Sequence, residues 1–254
     1  MLIGTTSLLL LPSPSARYPA SQAFFAQFMS PPPPSPADFY QPDPLSRSPG
    51  LPGSYEDIHA AAIRGVRAAL ESDVRACEVD YPAVPGVNAR GDGSAQSERR
   101  VAEANAEFAR KLRRALVNAV VVACSGDAAR ALGGDAFALR DGAVAAQYDV
   151  AICVSPCTDE QWEAALGLGA KSVVIVNGLL QNGLLPHAYY YKPLTAFSAQ
   201  TGAVVRCFPG AYECYDSQGE RMELEVPLAR QGRRALPDTK DAQMLLQNRF
   251  GQSR

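Results

Sequence analysis

The sequence predicts an α/β fold: a Rossmann-like, mostly parallel sheet with helices on both faces and a C-terminal antiparallel β-ribbon extension. Three observations carry this. The apolar runs 117–124, 148–155 and 171–177 are short and rich in β-branched residues. They lack the alternation of a half-wetted strand, so they read as strands buried on both faces. Amphipathic stretches with capping signals separate them, which is the pattern of crossover-connected parallel strands. After residue 187 the pattern changes to alternating runs punctuated by turn residues, which is ribbon material. The three apolar runs are therefore expected to be adjacent, central and mostly parallel.

The chain opens with residues 1–53, which hold twelve of its 20 prolines and only four charges, Arg17, Asp38, Asp43 and Arg47. Pro31–Pro34 favour an extended polyproline path, and such a segment lacks the apolar patterning to form a core. Residues 8–11 are apolar, and Ala20-Ser21-Gln22-Ala23 before Phe24-Phe25 resembles a small-residue cleavage site of a plastid leader. The other reading is a proline-rich arm whose Phe24, Phe25, Phe28, Phe39 and Tyr40 dock on a partner. From residue 54 onward the chain reads as one α/β domain.

That domain begins with Ser54-x-x-Asp57, a serine/acid capping box. Apolar residues at Ile58, Ala62, Val66, Ala69 and Leu70 then predict a helix over 55–72. VRACEVDYPAV alternates as a strand and is stopped by Pro82 and Pro85. A glycine-bearing loop leads to a long charged helix near 97–116. Next come a buried strand in VNAVVVACSG, a short helix in DAARALGG and a strand in YDVAICVSPC. Thr158-x-x-Gln161 caps a helix carrying Trp162, Ala165 and Leu166, and KSVVIVNG is the following strand. In the ribbon, Gln200-Thr201-Gly202 and Ser217-Gln218-Gly219 read as turns, and a final helix is predicted over 238–249.

Net charge is −2, so no global basic field would hold nucleic acid. Arg99, Arg100, Arg110, Lys111, Arg113 and Arg114 recur at helical spacing and read as a solvated helix face. No apolar run reaches the ~18 residues that a membrane-spanning helix needs. The six cysteines lack zinc-ligand spacing. Cys77, Cys124 and Cys153 read as small apolar residues, while Cys207 and Cys214 flank a Pro–Gly turn and could face each other. Reduced thiols fit the composition better.

Polar residues at the strand ends are the candidate ligand-binding groups: Ser125 and Asp127, Ser155, Asn177, and Asn182 just beyond. Backbone N–H groups after a strand can hold a phosphate. Yet neither glycine-rich phosphate signature is present, and a tight turn with Asp127 as helix cap explains the first pair as well. Asn177-Gly178 and Asn182-Gly183 also fit tight turns. His59 is expected on an exposed helix face, and His187 is expected to be isolated. Glu78 and Asp80 share one strand face without a partner that would argue for acid/base work. The tyrosines 189–191 should alternate sides of a strand. The residues point to no catalytic dyad, no metal and no cofactor.

Several blocks together resemble a plastid family of unknown biochemical activity that includes the low-photosystem-II-accumulation assembly proteins. They are the opening helix 55–70, EVDYP at 78–82, VSPCTDEQW at 154–162, VVIVNG at 173–178, YYYKPLTAFS at 189–198 and GAVVRCFPGAY at 202–212. The resemblance spans about residues 54–251. It implies a plastid location on the stromal side of the thylakoid, peripheral to the membrane. It also implies a non-enzymatic role in supporting photosystem or light-harvesting subunits through protein contacts. The alternative is a nucleotide- or phosphate-binding enzyme that uses the strand-end turns.

Overall fold

A computed structural model of the chain describes residues 50–85, 94–179, 185–196 and 199–222. The arm with its five aromatic residues, Asn182 and the helix expected at 238–249 lie outside these residues. The described part is α/β. The elements in chain order are α1 (Tyr55–Glu71), β1 (Ala76–Asp80), α2 (Ala95–Ala115), β2 (Ala119–Ala123), α3 (Gly126–Leu132) and β3 (Phe137–Ala138). They continue with β4 (Val150–Val154), α4 (Asp159–Leu166), β5 (Ser172–Val176), β6 (His187–Ala196), β7 (Ala199–Cys207), β8 (Glu213–Asp216) and β9 (Arg221–Met222). Leu139–Gln147 adds a kinked 3₁₀ stretch before β4.

The strands form one nine-stranded sheet in the order β3-β2-β4-β5-β1-β6-β7-β8-β9. Pairing is parallel from β3 through to β6 and antiparallel from β6 onward. The three apolar runs lie side by side as β2, β4 and β5, as the sequence predicted. Every residue of β2 and β4 is buried, which explains why neither alternates.

Right-handed crossovers fix the layers. The connections from β1 to β2 and from β2 to β3 step toward the β3 edge and carry α2 and α3. The connections from β3 to β4 and from β4 to β5 step the other way and carry the 3₁₀ stretch and α4. One core therefore joins α1, α2 and α3 to one sheet face through Val79, Val121, Ile152, Val174 and Tyr189. Alternate strand positions, such as Val122, Cys153 and Ile175, point to the opposite face.

The capping signals work locally as read. Ser54 Oγ accepts the Asp57 amide at 3.2 Å and donates to Asp57 Oδ2 at 2.9 Å. Thr158 Oγ1 accepts the Gln161 amide, and Gln161 Oε1 accepts the Cys157 amide in return. At α3 the cap is Ser125, whose Oγ accepts the Ala128 amide, and not Asp127, which lies in the first turn.

One turn expectation is corrected. Gln200-Thr201-Gly202 lies within β7, where Leu194 pairs with Gly202 and Thr195 with Gln200. The extra residue is a β-bulge, so the glycine marks a register shift and not a reversal. The Ser217–Gly219 turn is present, with Asp216 Oδ1 accepting the Gln218 and Glu220 amides and Gly219 at φ +80.

Two glycines permit close packing. A Cβ on Gly65 would lie 2.1 Å from the Ala188 carbonyl oxygen, so α1 rests directly on β6. A Cβ on Gly178 would lie 2.2 Å from the Trp162 ring. In the Asn177-Gly178 pair it is Asn177 that takes the left-handed backbone, at φ +48.

Candidate functional site

In a doubly wound sheet, ligands bind beyond the C-terminal strand ends where successive connections diverge. That point lies between β2 and β4, so Ser125 and Ser155 flank it. Ser155 has φ +52, a left-handed conformation that costs a serine roughly 1–2 kcal/mol. A closed set of hydrogen bonds holds it. Its amide donates to the Val176 carbonyl at 2.9 Å, and Asn105 Nδ2 donates to its hydroxyl at 2.9 Å.

Asn177 completes the set. Its amide group donates to Asn105 Oδ1 at 2.7 Å, and its Oδ1 accepts the Tyr81 amide at 2.9 Å. The Asn177 backbone amide donates to the Val79 carbonyl at 2.8 Å. Four chain segments are thus tied together at the strand ends: those after β1, β4 and β5, and the middle of α2. Asn105 and Asn177 are both buried. The arrangement closes the strand ends by satisfying buried polar groups.

Among the candidate ligand residues, Ser155 and Asn177 are brought together through Asn105. Ser125 serves as a helix cap, and Asp127 pairs with Arg130 on the surface. Sequence reasoning missed Asn105. Its signal was present: it interrupts the apolar face of α2 formed by Val101, Ala102, Ala106, Phe108 and Leu112.

A second cluster lies on the other half of the sheet, and it corrects two expectations. His187 is not isolated, and Glu78 does have a neighbour. A bulge between Glu78 and Val79 sets Glu78 opposite His187 and Val79 opposite Tyr189. His187 Nδ1 and the Tyr212 hydroxyl share a 2.7 Å hydrogen bond, while His187 Nε2 stands 3.6 Å from Glu78 Oε2. The rings of His187, Tyr190 and Tyr212 meet edge to face.

Burial dominates the electrostatics there. It lowers the His187 pKa to about 3, with Arg206 adding to the effect. It raises Glu78 well above the ordinary carboxylate range, and Asp80 adds to that. Asp80 itself is pushed up to about 6 by burial, against the pull of Lys192. At 3.6 Å, with both members desolvated, Glu78 and His187 form a neutral pair and not an ion pair. Glu78 Oε1 is buried without a hydrogen-bond partner.

His59 is also buried, contrary to expectation. Lys111 Nζ donates to its Nδ1 at 3.3 Å, so the ring proton sits on Nε2, 3.3 Å from the Tyr81 hydroxyl. Burial and then Lys111 hold its pKa below the usual value. The ring packs against Phe108 at 5.0 Å, which gives it a structural role.

The six cysteines are free. Cys207 and Cys214 do not face each other: Cys207 packs toward the α1 face, with its thiol 3.4 Å from the Ala61 carbonyl, and Cys214 belongs to the opposite-face cluster of Tyr190 and Val204. Tyr189 and Tyr190 likewise fall on opposite faces, as their alternation required. Among the described residues no three His, Cys, Asp or Glu side chains group as metal ligands, and no helix is long and apolar enough to cross a membrane.

Comparison with known proteins finds no matching family model, no matching curated protein and no matching solved structure.

Proposed function

We propose that this chain is a non-enzymatic plastid protein that associates with photosystem or light-harvesting subunits at the stromal side of the thylakoid and supports their assembly or stability. The observation that carries this reading is the state of the strand ends. Where a doubly wound enzyme would offer polar groups to a ligand, Asn177, Asn105 and Ser155 are committed to one another and to the Tyr81 amide. A fold so closed at its usual ligand position is suited to presenting surfaces. The sequence resemblance of residues 54–251 supplies the compartment and the class of partner.

One feature favours a second reading, a nucleotide- or phosphate-binding enzyme. Ser155 is only partly buried, and it holds a left-handed backbone beside the point where the connections diverge. The two readings separate in one experiment. Tagged full-length protein is recovered from detergent-solubilised thylakoids, and both co-purifying proteins and bound nucleotides are measured. Enrichment of photosystem or antenna subunits without stoichiometric nucleotide is expected. Retained nucleotide without those subunits overturns the docking role in favour of the enzyme.

The arm is assigned the docking contact. Deleting residues 1–49 retains Leu51 and the Ser54 cap, so the melting temperature of the domain should stay nearly unchanged while recovery with the complex falls. Unaltered recovery would remove the arm from the reading.

A further inference from the structure

Tyr190, Leu194, Val204, Cys214 and Met222 form an apolar cluster on the side of the ribbon away from α1. Val204 and Cys214 have no solvent exposure. An apolar sheet face is stable only against a second layer. Yet the described helix packed on β6 and β7 is α1, on the other face. On the cluster's own side of the sheet, the 3₁₀ stretch packs on β2 and α4 packs on the 3₁₀ stretch, so both belong to the apolar half.

The chain carries a segment that fits this face. Residues 223–254, outside the described residues, follow directly on Met222 of β9, which is itself part of the cluster. Within the helix that the sequence predicts over 238–249, Ala242, Leu245 and Leu246 recur at the spacing of one helical face, and Phe250 stands four residues after Leu246. A helix of that length spans about 18 Å, and the three strand gaps from β9 to β6 span about 14 Å. The tether 223–237 can extend to about 50 Å, so reach does not limit the contact. Asp238 and Asp241 mark the first turn of that helix, while Lys192 and Arg206 alternate along their strands onto the cluster's side. The loops 86–93 and 180–184, also outside the described residues, are short and carry glycines.

We infer that residues 238–250 seat on this cluster as an amphipathic helix, so that the C-terminal segment of the chain is the second layer of the ribbon. Tethering favours this occupant over a separate partner, because a short linker holds a segment at an effective concentration on the order of millimolar. The acidic first turn meets a face that carries Lys192 and Arg206, which fixes the direction in which the helix lies. His187 packs on Tyr190 and stands beside Glu78, so the segment also keeps water from that pair. The inference does not depend on the plastid role.

Cys214 is the native reporter, since it lies in the cluster while Cys153 is buried in the apolar half. Isolated full-length protein is alkylated with iodoacetamide, and modification at each cysteine is followed by mass spectrometry. Both thiols should react slowly in the wild type. In full-length L245D/L246D, Cys214 should react at least about tenfold faster while Cys153 stays protected. Unchanged protection of Cys214 in that variant overturns the proposal. Rapid reaction of Cys214 in the isolated wild type also overturns it and leaves the face to a separate partner. Protection that falls on dilution, with a dimeric mass by light scattering, overturns it in favour of a second copy of this chain. If the variant exposes both cysteines, it has unfolded, and methyl NMR of the wild type decides. Cross-peaks from Leu245 or Leu246 to Leu194 or Val204 support the seat, and their absence overturns it.

Discussion

The two halves of the sheet bury different chemistry. In β3-β2-β4-β5 the strands are apolar on both faces, and β2 and β4 are buried throughout. In β1-β6-β7-β8 the face opposite α1 carries Glu78, Asp80, His187 and Tyr190, with Tyr212 against them. The first half is held by apolar burial and by neutral hydrogen bonds at its strand ends, neither of which depends on pH. The second buries an acid and an imidazole whose pKa values burial moves in opposite directions, and pH enters there. One sheet thus has a pH-indifferent half and a pH-sensitive half.

The largest expected effect breaks the apolar half. Ile152 has no exposure and sits in register between Val121 and Val174. Ile152→Ala removes buried methyl groups and leaves a cavity that flanking strands cannot close, costing about 2–5 kcal/mol. At roughly 2–4 °C per kcal/mol for a domain of this size, thermal unfolding should fall by about 4–20 °C. The fall should be the same near neutral and mildly acidic pH, because no titrating group is involved. A pH-dependent loss would show that the two halves are not separable.

The next effect falls at the strand ends. Asn177→Ala strips the acceptor from the buried Tyr81 amide, worth about 1–3 kcal/mol, and forces alanine into a left-handed backbone for about 1–2 kcal/mol more. Asn177→Gly removes only the second penalty and should recover part of the loss. Equal destabilisation by both variants, read by chemical denaturation, would mean that the backbone conformation carries no cost and that the hydrogen bonds account for everything.

What was legible in the sequence follows the range over which each interaction is decided. The caps at Ser54 and Thr158 are settled within four residues, and the buried strands by their own composition, so both could be read directly. The pairing of Glu78 with His187 depends on a bulge in a parallel ladder between segments far apart in the chain. No local pattern announces it, and the same holds for the Lys111–His59–Tyr81 chain, which crosses three elements. Gln200-Thr201-Gly202 misled because a bulge and a turn draw on the same residue types. The strand-end asparagine was found by composition, but its partner Asn105 needed the fold.

The smallest effect is the one that separates the halves most sharply. Burial raises the Glu78 pKa above its ordinary value, so the folded state holds a proton that the unfolded chain releases. The stability from this carboxyl is fully present below about pH 4.5, its unfolded value, and is lost as pH rises through the folded value. His187 acts oppositely. Its pKa is depressed to about 3, so its contribution is present above about pH 6.5 and is lost as pH falls from there toward 3. Glu78→Gln keeps the size and a neutral polar end while removing the first slope. The variant should match the wild type near pH 4.5 and melt higher near pH 8. Its remaining pH dependence should combine His187 and His59, which lose stability as pH falls below about pH 6.5, with Asp80, whose carboxyl, raised to about 6, loses stability as pH rises through that value. A variant less stable than the wild type near pH 8 would mean that Glu78 is ionised in the folded protein and paired with a protonated His187, and the neutral pair would have to be abandoned.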